Sequence, residues 1–241
     1  MRTVTAYDGI ADWYAEWEAA APAGDDVLDA TAELLGDVRG MRVCDLACGQ
    51  GRITRFLAEH GAEAVGVDNS RRMLEFARQH TAGLPIDYRL GDSADLAEFA
   101  DAEFDGVVCF MALMDIAELE LTLRAIHRVL RTGGWFVFAV LHPCYHTPRS
   151  GELDTADGWL RTVGRYFEET HWRLDERTGP PGKVGAYHRM LSTYLNTLIA
   201  TGFRLDRFAE PLRTGRSAEL RPIWTEVPSA LVVRCTRISP I

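Results

Sequence analysis

Short apolar runs alternate with amphipathic segments between residues 42 and 141. A short apolar run predicts a buried strand, and apolar residues at spacings of three and four predict a helix. Regular alternation of the two predicts a parallel sheet covered by helices on both faces, which is an α/β fold. The predicted strands cover residues 43–45, 64–67, 86–90, 104–108 and 135–141, followed by residues 203–208 and 230–238.

Two regions do not follow this alternation. Residues 1–40 have aromatic residues at spacings of three and four, which predicts amphipathic helix ahead of the sheet. These aromatic residues are Tyr7, Trp13, Tyr14 and Trp17. Residues 142–187 cluster Gly, Pro, His and aromatic residues without a sustained period, so we interpret them as an insertion before a helix over residues 187–200. We expect residues 1–241 to form a single domain.

The turn after the first strand has the most specific chemistry. Gly49 and Gly51 follow the acid Asp45, and glycine lets a ligand lie directly on the main chain. A second acid, Asp68, ends the next strand, where a ribose-binding carboxylate is expected. Thr54 stands where a dinucleotide fingerprint has its third glycine, and Asp45 would repel a pyrophosphate. The pattern therefore favours a nucleoside that carries a cationic group.

Five motifs occur in the order expected for one enzyme family. They are DLACGQG at 45–51, GVDNS at 66–70, GDSADL at 91–96, FDGVV at 104–108 and LRTGG at 130–134. The set resembles the class I, Rossmann-like, S-adenosylmethionine-dependent methyltransferases of the small-molecule type. This resemblance implies a seven-stranded, mostly parallel sheet with an antiparallel last strand, and S-adenosyl-L-methionine as cofactor. Ala47 departs from the glycine that the family often has, and we expect a slight tightening of the turn.

The acids at the strand ends should lie around one pocket, because ligands of open α/β sheets bind beyond the carboxyl ends of the strands. By resemblance, Asp45 and the glycine turn hold the methionine end, Asp68 holds the ribose hydroxyls, and Asp92 with Ser93 meets adenine. For each acid taken alone, the alternative is a cap of a helix or turn. The expected cofactor-binding residues are Tyr14, Asp45, Ala47, Cys48, Gly49, Gly51, Asp68, Asn69, Met73, Asp92, Ser93, Phe110, Met111 and Met114.

The two irregular regions are expected to complete the pocket. Members of the resembled family often close it with their N-terminal region, so residues 1–40 are expected to form a helical lid, with packing against the main body as the alternative. Residues 142–187 are expected to form the acceptor pocket, because their aromatic side chains favour a compact apolar or planar acceptor.

Methyl transfer needs a base only where the acceptor's nucleophile arrives protonated. Histidine suits that role. His142 and His146 leave the fifth strand at the ligand edge, and an extended backbone would place them on one side together with Cys144. We take His142, His146 and His188 as candidate catalytic residues, with a role as pocket walls as the alternative. Pro143 and the lack of a nearby acid argue against a metal site.

The acidic balance limits the partners. A formal net charge of -9 and a pI near 5.3 argue against a protein that grips nucleic-acid phosphates. No segment is long enough to span a membrane, and the start of the chain has no apolar run, so we expect a cytoplasmic protein. A small-molecule acceptor is the expected partner, and the sequence is compatible with a homodimer.

The sequence thus predicts methyl transfer to a small molecule, in specialised metabolite biosynthesis. A rival function is binding of S-adenosylmethionine without transfer, with the sulfonium used as a fixed charge for another reaction. A methyltransferase that acts on RNA or protein is a further alternative. A nicotinamide-dependent oxidoreductase is disfavoured by Asp45 and Thr54.

Overall fold

A computed structural model describes residues 5–20, 24–81, 83–156, 158–173, 179–220 and 222–238. Residues 21–26 are predicted to break the N-terminal helix, and residues 21–23 of that break lie outside this part of the chain. The helices are α1 (Ala11–Ala19), α2 (Asp26–Leu35), α3 (Arg52–Glu59), α4 (Arg71–Gln79), α5 (Leu119–Val129), α6 (Pro180–Lys183), α7 (Leu191–Thr201) and α8 (Gly215–Leu220). The strands are β1 (Arg42–Leu46), β2 (Glu63–Asp68), β3 (Asp87–Leu90), β4 (Phe104–Phe110), β5 (Leu130–Leu141), β6 (Gly151–Thr155), β7 (Gly158–Thr162), β8 (Thr170–Trp172), β9 (Ala186–His188), β10 (Phe203–Ala209) and β11 (Ala230–Arg237).

Seven strands form the main sheet, in the order β10-β11-β5-β4-β1-β2-β3. Strands β1 to β5 pair in parallel, whereas β11 runs antiparallel to both of its neighbours. The predicted α/β fold with a mostly parallel sheet and an antiparallel last strand is therefore confirmed. The strand order reverses between β1 and β4, and the carboxyl ends of these two strands open a crevice suited to a ligand.

Strand β5 shows how the two faces of the sheet are filled. Phe136 and Phe138 pack on the face covered by α5 and α7, while Val137 and Ala139 pack on the face covered by α2 and α3. All four side chains are fully buried, which explains why this strand reads as a continuous apolar run. Each large side chain buried in this way contributes roughly 1.5–3 kcal/mol, so the sheet centre is the main source of stability.

The boundary between α5 and β5 differs from the prediction. The apolar spacing predicts a helix over residues 117–130 that is stopped by Gly133 and Gly134, ahead of the strand predicted over residues 135–141. In the structure β5 already begins at Leu130 and contains both glycines. A Cβ on Gly134 would lie 2.8 Å from the carbonyl oxygen of Arg131 and 3.0 Å from that of Asp105. The glycine is required by this close backbone approach and does not act as a helix stop.

The insertion predicted over residues 142–187 contains strands that its composition did not predict. β6 pairs with β7 and β8 pairs with β9, each pair antiparallel. Tyr187 and His188 belong to β9, so the helix expected from residue 187 begins at Leu191. These two residues have the spacing of a helix, but in the folded chain they form a strand because they pair with β8. None of the helices in the described residues is long and apolar enough to cross a membrane.

Candidate active site

The turn between β1 and α3 is built from residues in the left-handed region. Ala47, Gly49 and Gly51 have φ values of 56°, 52° and 75°. Glycine adopts this region freely, whereas Ala47 pays on the order of 1 kcal/mol. The Cys48 N–H donates to the Val67 carbonyl at 2.9 Å, which ties the turn to β2. A Cβ on Gly49 would meet no described atom within 4 Å and would project into the open crevice.

Asp45 lies at the end of β1 and is only 1% exposed. Its Oδ2 accepts a hydrogen bond of 2.6 Å from the hydroxyl of Thr54. Burial raises the pKa of Asp45 to about 7, although the hydrogen bonds from Thr54 act in the opposite direction. Thr54 stands where dinucleotide sites need glycine, and here it holds the Asp45 carboxylate by a hydrogen bond. A cation beside Asp45 would favour its ionised form.

Asp68, at the end of β2, holds the same turn from the other side. Its two oxygens accept from the N–H groups of Gly49 and Ser70, each at 2.8 Å. Burial raises the pKa of Asp68 to about 6, while these N–H groups act to lower it. Each carboxylate oxygen has a second lone pair, so neighbouring hydroxyls of a ligand can still donate to it.

The N-terminal segment, residues 5–20, covers the crevice near the ends of β2 and β4. The Tyr7 hydroxyl donates to Oδ2 of Asp115 at 2.8 Å, just beyond the end of β4. The Ser70 hydroxyl donates to Oδ1 of Asp8 at 2.6 Å, next to Asp68. Burial raises the pKa of Asp115 to about 7, and the hydrogen bond from Tyr7 opposes that rise. Hydrogen bonds to residues that follow β4 and β2 thus hold the N-terminal segment in place.

The connection from β10 to β11 lines the opposite wall. Nη1 of Arg213 lies 3.5 Å from Oδ1 of Asp25, and its Nε donates to the Ser229 hydroxyl at 3.2 Å. The guanidinium carbon lies 5.3 Å from the centre of the Trp224 ring. The other oxygen of Asp25 accepts from Arg52 at 2.8 Å. Two arginines therefore share one carboxylate at the cavity wall.

These elements enclose a cavity of about 1040 Å³ at the carboxyl edge of the sheet. That volume stands at the upper end of the range of about 300–1,000 Å³ typical of small-molecule sites. One half of the cavity lies over the ends of β1, β2 and β3, and the other over the ends of β4, β5 and the start of β11. Lining residues near these strand ends include Asp45, Asp68 and Ser93 in the first half, and Met111, Leu141 and Ser229 in the second.

The cavity brings most of the predicted cofactor residues together. Those that line it are Tyr14, Asp45, Ala47, Cys48, Gly49, Asp68, Asn69, Met73, Ser93, Phe110, Met111 and Met114. Gly51 and Asp92 lie outside the lining as the described residues define it. A Cβ on Gly51 would sit 2.3 Å from the Tyr88 hydroxyl oxygen, so this glycine serves the turn itself. Asp92 is exposed and accepts from the Ala94 N–H at 2.9 Å, which makes it the cap of its own turn.

The predicted histidine cluster does not have the expected shape. The N–H groups of Tyr145 and His146 both donate to the His142 carbonyl at 2.9 Å, so the segment forms a turn. The expected extended arrangement, with His142, Cys144 and His146 on one side, is therefore wrong. His142 directly follows β5, and the two backbone hydrogen bonds to its carbonyl explain the turn.

The three candidate histidines have different surroundings. His146 lines the cavity, whereas His142 and His188 are not among its described lining residues. His142 is buried, with Nε2 2.9 Å from a carboxylate oxygen of Glu210. Both ring nitrogens of His188 face backbone carbonyl oxygens, those of His146 at 3.1 Å and Tyr166 at 2.8 Å. Among the described residues, no group of three or more His, Cys, Asp or Glu is placed to hold a metal ion.

Two parts of the site were missed from the sequence. Asp115 directly follows residues 110–114, which were expected at the pocket, so one further position would have found it. Arg213 and Trp224 belong to the connection before β11. Because an antiparallel last strand begins at the carboxyl edge of the others, the connection before it must pass the ligand crevice. The predicted topology already contained that signal.

The donors and acceptors of the first half suit S-adenosylmethionine. Asp45 and Asp68 supply anionic acceptors, and Gly49 leaves the main chain open to the ligand. Nε2 of Gln50 is buried at the cavity wall without a hydrogen-bond partner among the described residues. A ligand carboxylate would satisfy this amide, since an unpaired buried donor costs about 1–3 kcal/mol. The first half thus offers acceptors and a donor of the kinds that the cationic, hydroxyl and anionic groups of the cofactor require.

Comparisons with known proteins agree with this site. Residues 44–138 match a family model described as a methyltransferase domain. The S-adenosylmethionine dependent methyltransferase from Mesorhizobium loti is 31% identical, with a TM-score of 0.78, and the match covers 89% of this chain and 99% of that one. A putative S-adenosylmethionine dependent methyltransferase from Listeria monocytogenes is 28% identical, with a TM-score of 0.74 and the same coverage.

Curated relatives match over a shorter region. The ubiquinone biosynthesis O-methyltransferase of Chromobacterium violaceum is 34% identical over 107 residues, which is 44% of this chain and 46% of that protein. The chain spans about half the length of these curated relatives. The fold, the glycine turn and these matches define a class I methyltransferase. The chain belongs to the S-adenosylmethionine-dependent methyltransferases, and S-adenosyl-L-methionine is its cofactor.

Proposed function

We propose that the chain transfers a methyl group to a small-molecule acceptor enclosed within the cavity. The observation that carries this proposal is the second half of the cavity, over β4, β5 and β11, which remains beyond the acids suited to the cofactor. Walls from the N-terminal segment and from the β10–β11 connection cover this half. Such enclosure favours a compact acceptor over a polymer.

Each cofactor contact is proposed from the geometry of the first half. Asp45 faces the methionine end, where its carboxylate meets the ammonium group. Asp68 accepts from the ribose hydroxyls, and Ser93 borders the adenine in place of Asp92. Gln50 donates its buried amide to the methionine carboxylate. All four line the cavity, and the two acids are held by hydrogen bonds that fix their orientation.

We propose Asp115 as the proton acceptor. When bound, S-adenosylmethionine supplies an electrophilic methyl group on a positively charged sulfur. Asp115 takes the proton of the acceptor's nucleophile as the new bond to the methyl carbon forms. A base with a pKa of about 7 suits work near neutral pH. Among the three predicted histidines, His146 is retained as a contact of the acceptor because it lines the same cavity.

The proposed organisation follows from these walls. Residues 1–40 act as a lid, because Tyr7 reaches Asp115 and Asp8 reaches Ser70. Residues 142–187 contribute His146, Pro180 and Pro181 to the acceptor wall, and the β10–β11 connection shares that wall. We treat residues 1–241 as one methyltransferase domain. The names of the curated relatives support a small-molecule acceptor and make an oxygen nucleophile the first to test.

The test supplies S-adenosylmethionine with a labelled methyl group and separates small molecules, RNA and protein afterwards. We expect label in the small-molecule fraction and an equal amount of S-adenosylhomocysteine. Label confined to RNA or protein would contradict the proposal. So would tight cofactor binding with no S-adenosylhomocysteine formed from any fraction, which would favour a binding protein without transfer.

A further inference from the structure

The arginine pair at the cavity wall has more positive charge than its partner can neutralise. Asp25 carries one negative charge and faces both Arg213 and Arg52. The same carboxylate also accepts from the N–H groups of Val27 and Leu28 at the start of α2. The positive end of that helix therefore draws on it as well. Asp26 also attracts Arg213 and Glu18 attracts Arg52, but Asp25 is the acid that both arginines share.

Arg213 lies in a place with little water, and its ion pair with the shared Asp25 is longer, at 3.5 Å, than that of Arg52, at 2.8 Å. Its side chain is 15% exposed, compared with 40% for Arg52. Removing a guanidinium from water is costly unless an anion compensates it. Its Nε is occupied by the neutral hydroxyl of Ser229, and the Trp224 ring covers one face. An anion that enters the cavity would complete the pairing.

The position of Arg213 is fixed by its neighbours. Thr214 donates to Asp26 through its N–H at 2.9 Å and through its hydroxyl at 2.6 Å. Ser229 accepts from the His142 N–H through its carbonyl at 3.0 Å, at the ends of β5 and β11. Arg213 is therefore joined through Ser229 to the ends of β5 and β11, and through Asp25 to Arg52 at the start of α3. The cofactor acids stand over β1 and β2.

We propose that the acceptor carries a carboxylate that pairs with Arg213. A planar guanidinium presents parallel N–H donors that match a carboxylate, and the flat Trp224 ring suits the planar group attached to it. This inference rests on the proposed function, since it names the chemical class of that acceptor. Arg213 orients the acceptor from one end, while Asp115 meets its nucleophile at another part of the same cavity.

Matched probes test the site directly. Benzoate and benzamide have the same ring and differ in the charge of one group. Calorimetry on the protein saturated with S-adenosylhomocysteine should show benzoate binding roughly ten-fold or more tightly than benzamide. Arg213→Gln should remove that preference, and Arg213→Lys should retain part of it. Arg207→Gln, which removes an exposed ion pair with Glu33, is the control and should keep the preference.

Acceptor activity supplies an independent readout. Methyl-accepting activity in a small-molecule extract should be retained by an anion-exchange resin at pH 7 and lost when carboxylates are converted to amides. Arg213→Gln should raise the KM for the retained fraction about ten-fold or more, with kcat and the Kd for S-adenosylhomocysteine changed by less than about twofold.

Several results would overturn the inference. These are equal or absent binding of the two probes by the wild type, a preference that survives Arg213→Gln, and activity that passes through the resin. Weakened S-adenosylhomocysteine binding in Arg213→Gln would instead assign the arginine to the cofactor. Methylation of neutral acceptors alone would reject the carboxylate but support the proposed methyl transfer. Methylation of no small molecule would reject both proposals.

Discussion

The hydroxyl of Tyr7 donates to the carboxylate of Asp115 at 2.8 Å, although the two residues are 108 positions apart. Tyr7 precedes α1, and Asp115 follows β4. Arg72, at the start of α4, adds a second attachment, because its guanidinium donates to Asp12 at 2.8 Å. The covering segment and the proposed base are therefore joined directly. The hydrogen bond from Tyr7 is part of the environment in which Asp115 titrates.

Tyr7→Phe should change the pH dependence of turnover. Burial raises the pKa of Asp115 to about 7 and the Tyr7 hydroxyl lowers it, so removing the hydroxyl should raise that pKa further. The acidic limb of kcat/KM should move to higher pH, with a loss of several-fold at neutral pH, on the order expected for one charge-assisted hydrogen bond. A pH–rate profile measures this. Asp12→Asn, which removes the exposed ion pair of the same segment with Arg72, is the control and should leave the limb in place. An unmoved limb in Tyr7→Phe would remove Asp115 as the base.

Asp68→Ala should weaken S-adenosylhomocysteine binding by about 1–3 kcal/mol, because ribose hydroxyls and two N–H groups lose their acceptor. Titration calorimetry gives the affinity. Asp92→Ala removes another strand-end acid, one that caps its own exposed turn. This control should bind within about twofold of the wild type. Equal losses of affinity in the two variants would support the sequence-based assignment of Asp92 to the adenine.

Asp45→Asn should stabilise the cofactor-free protein at high pH. Burial raises the pKa of Asp45 from 3.8 to about 7, so its contribution to stability is fully present below about pH 4 and is lost as pH rises through about 7. At pH 8 the variant should gain about 2–4 kcal/mol in the free energy of unfolding, and at pH 4 close to nothing. Denaturant unfolding at both pH values measures the difference.

Asp45→Asn should also weaken binding of the cofactor. Wild-type affinity for S-adenosylhomocysteine should rise between about pH 6 and 8, since the ammonium group pairs with ionised Asp45 and the ribose hydroxyls donate to ionised Asp68. In Asp45→Asn the affinity should be lower and less dependent on pH. A variant that is stabilised but binds as tightly as the wild type would show that Asp45 does not meet the cofactor.

The three histidines should separate into two groups. His188→Gln and His142→Gln should lower the thermal unfolding midpoint, because both side chains are buried and hydrogen-bonded inside the fold. His146→Gln should chiefly raise the KM of the acceptor, since this residue lines the cavity. Thermal melts and steady-state kinetics measure the two effects. A loss of kcat in His188→Gln at unchanged stability would restore it as a catalytic residue.

Much of the sheet was predictable because its signals are local. The apolar runs that gave β1, β2 and β4 are each buried on both faces, so they need no information from distant residues. The glycine turn was equally predictable, since Gly49 and Gly51 lie in the left-handed region and Asp45 precedes them. These features bring most of the predicted cofactor residues to one cavity.

The acceptor half depended on long-range contacts that periodicity does not report. His142 was expected in an extended segment, but its carbonyl accepts two backbone bonds that form a turn. Tyr187 keeps helical spacing in the sequence, but it lies in β9 and pairs with His171 of β8. Arg213 meets Asp25 across 188 positions, and no local pattern links them. Such pairings become visible only when the chain is folded.

The floor and the walls of the cavity come from different stretches of the chain. The matched methyltransferase region, 44–138, supplies the strand ends over which the cofactor acids lie. The N-terminal segment and the β10–β11 connection lie outside it and supply Tyr7, Trp224 and Arg213. Substitutions in these walls can therefore redirect the enzyme to new acceptors while the sheet and its methyl donor site are inherited unchanged.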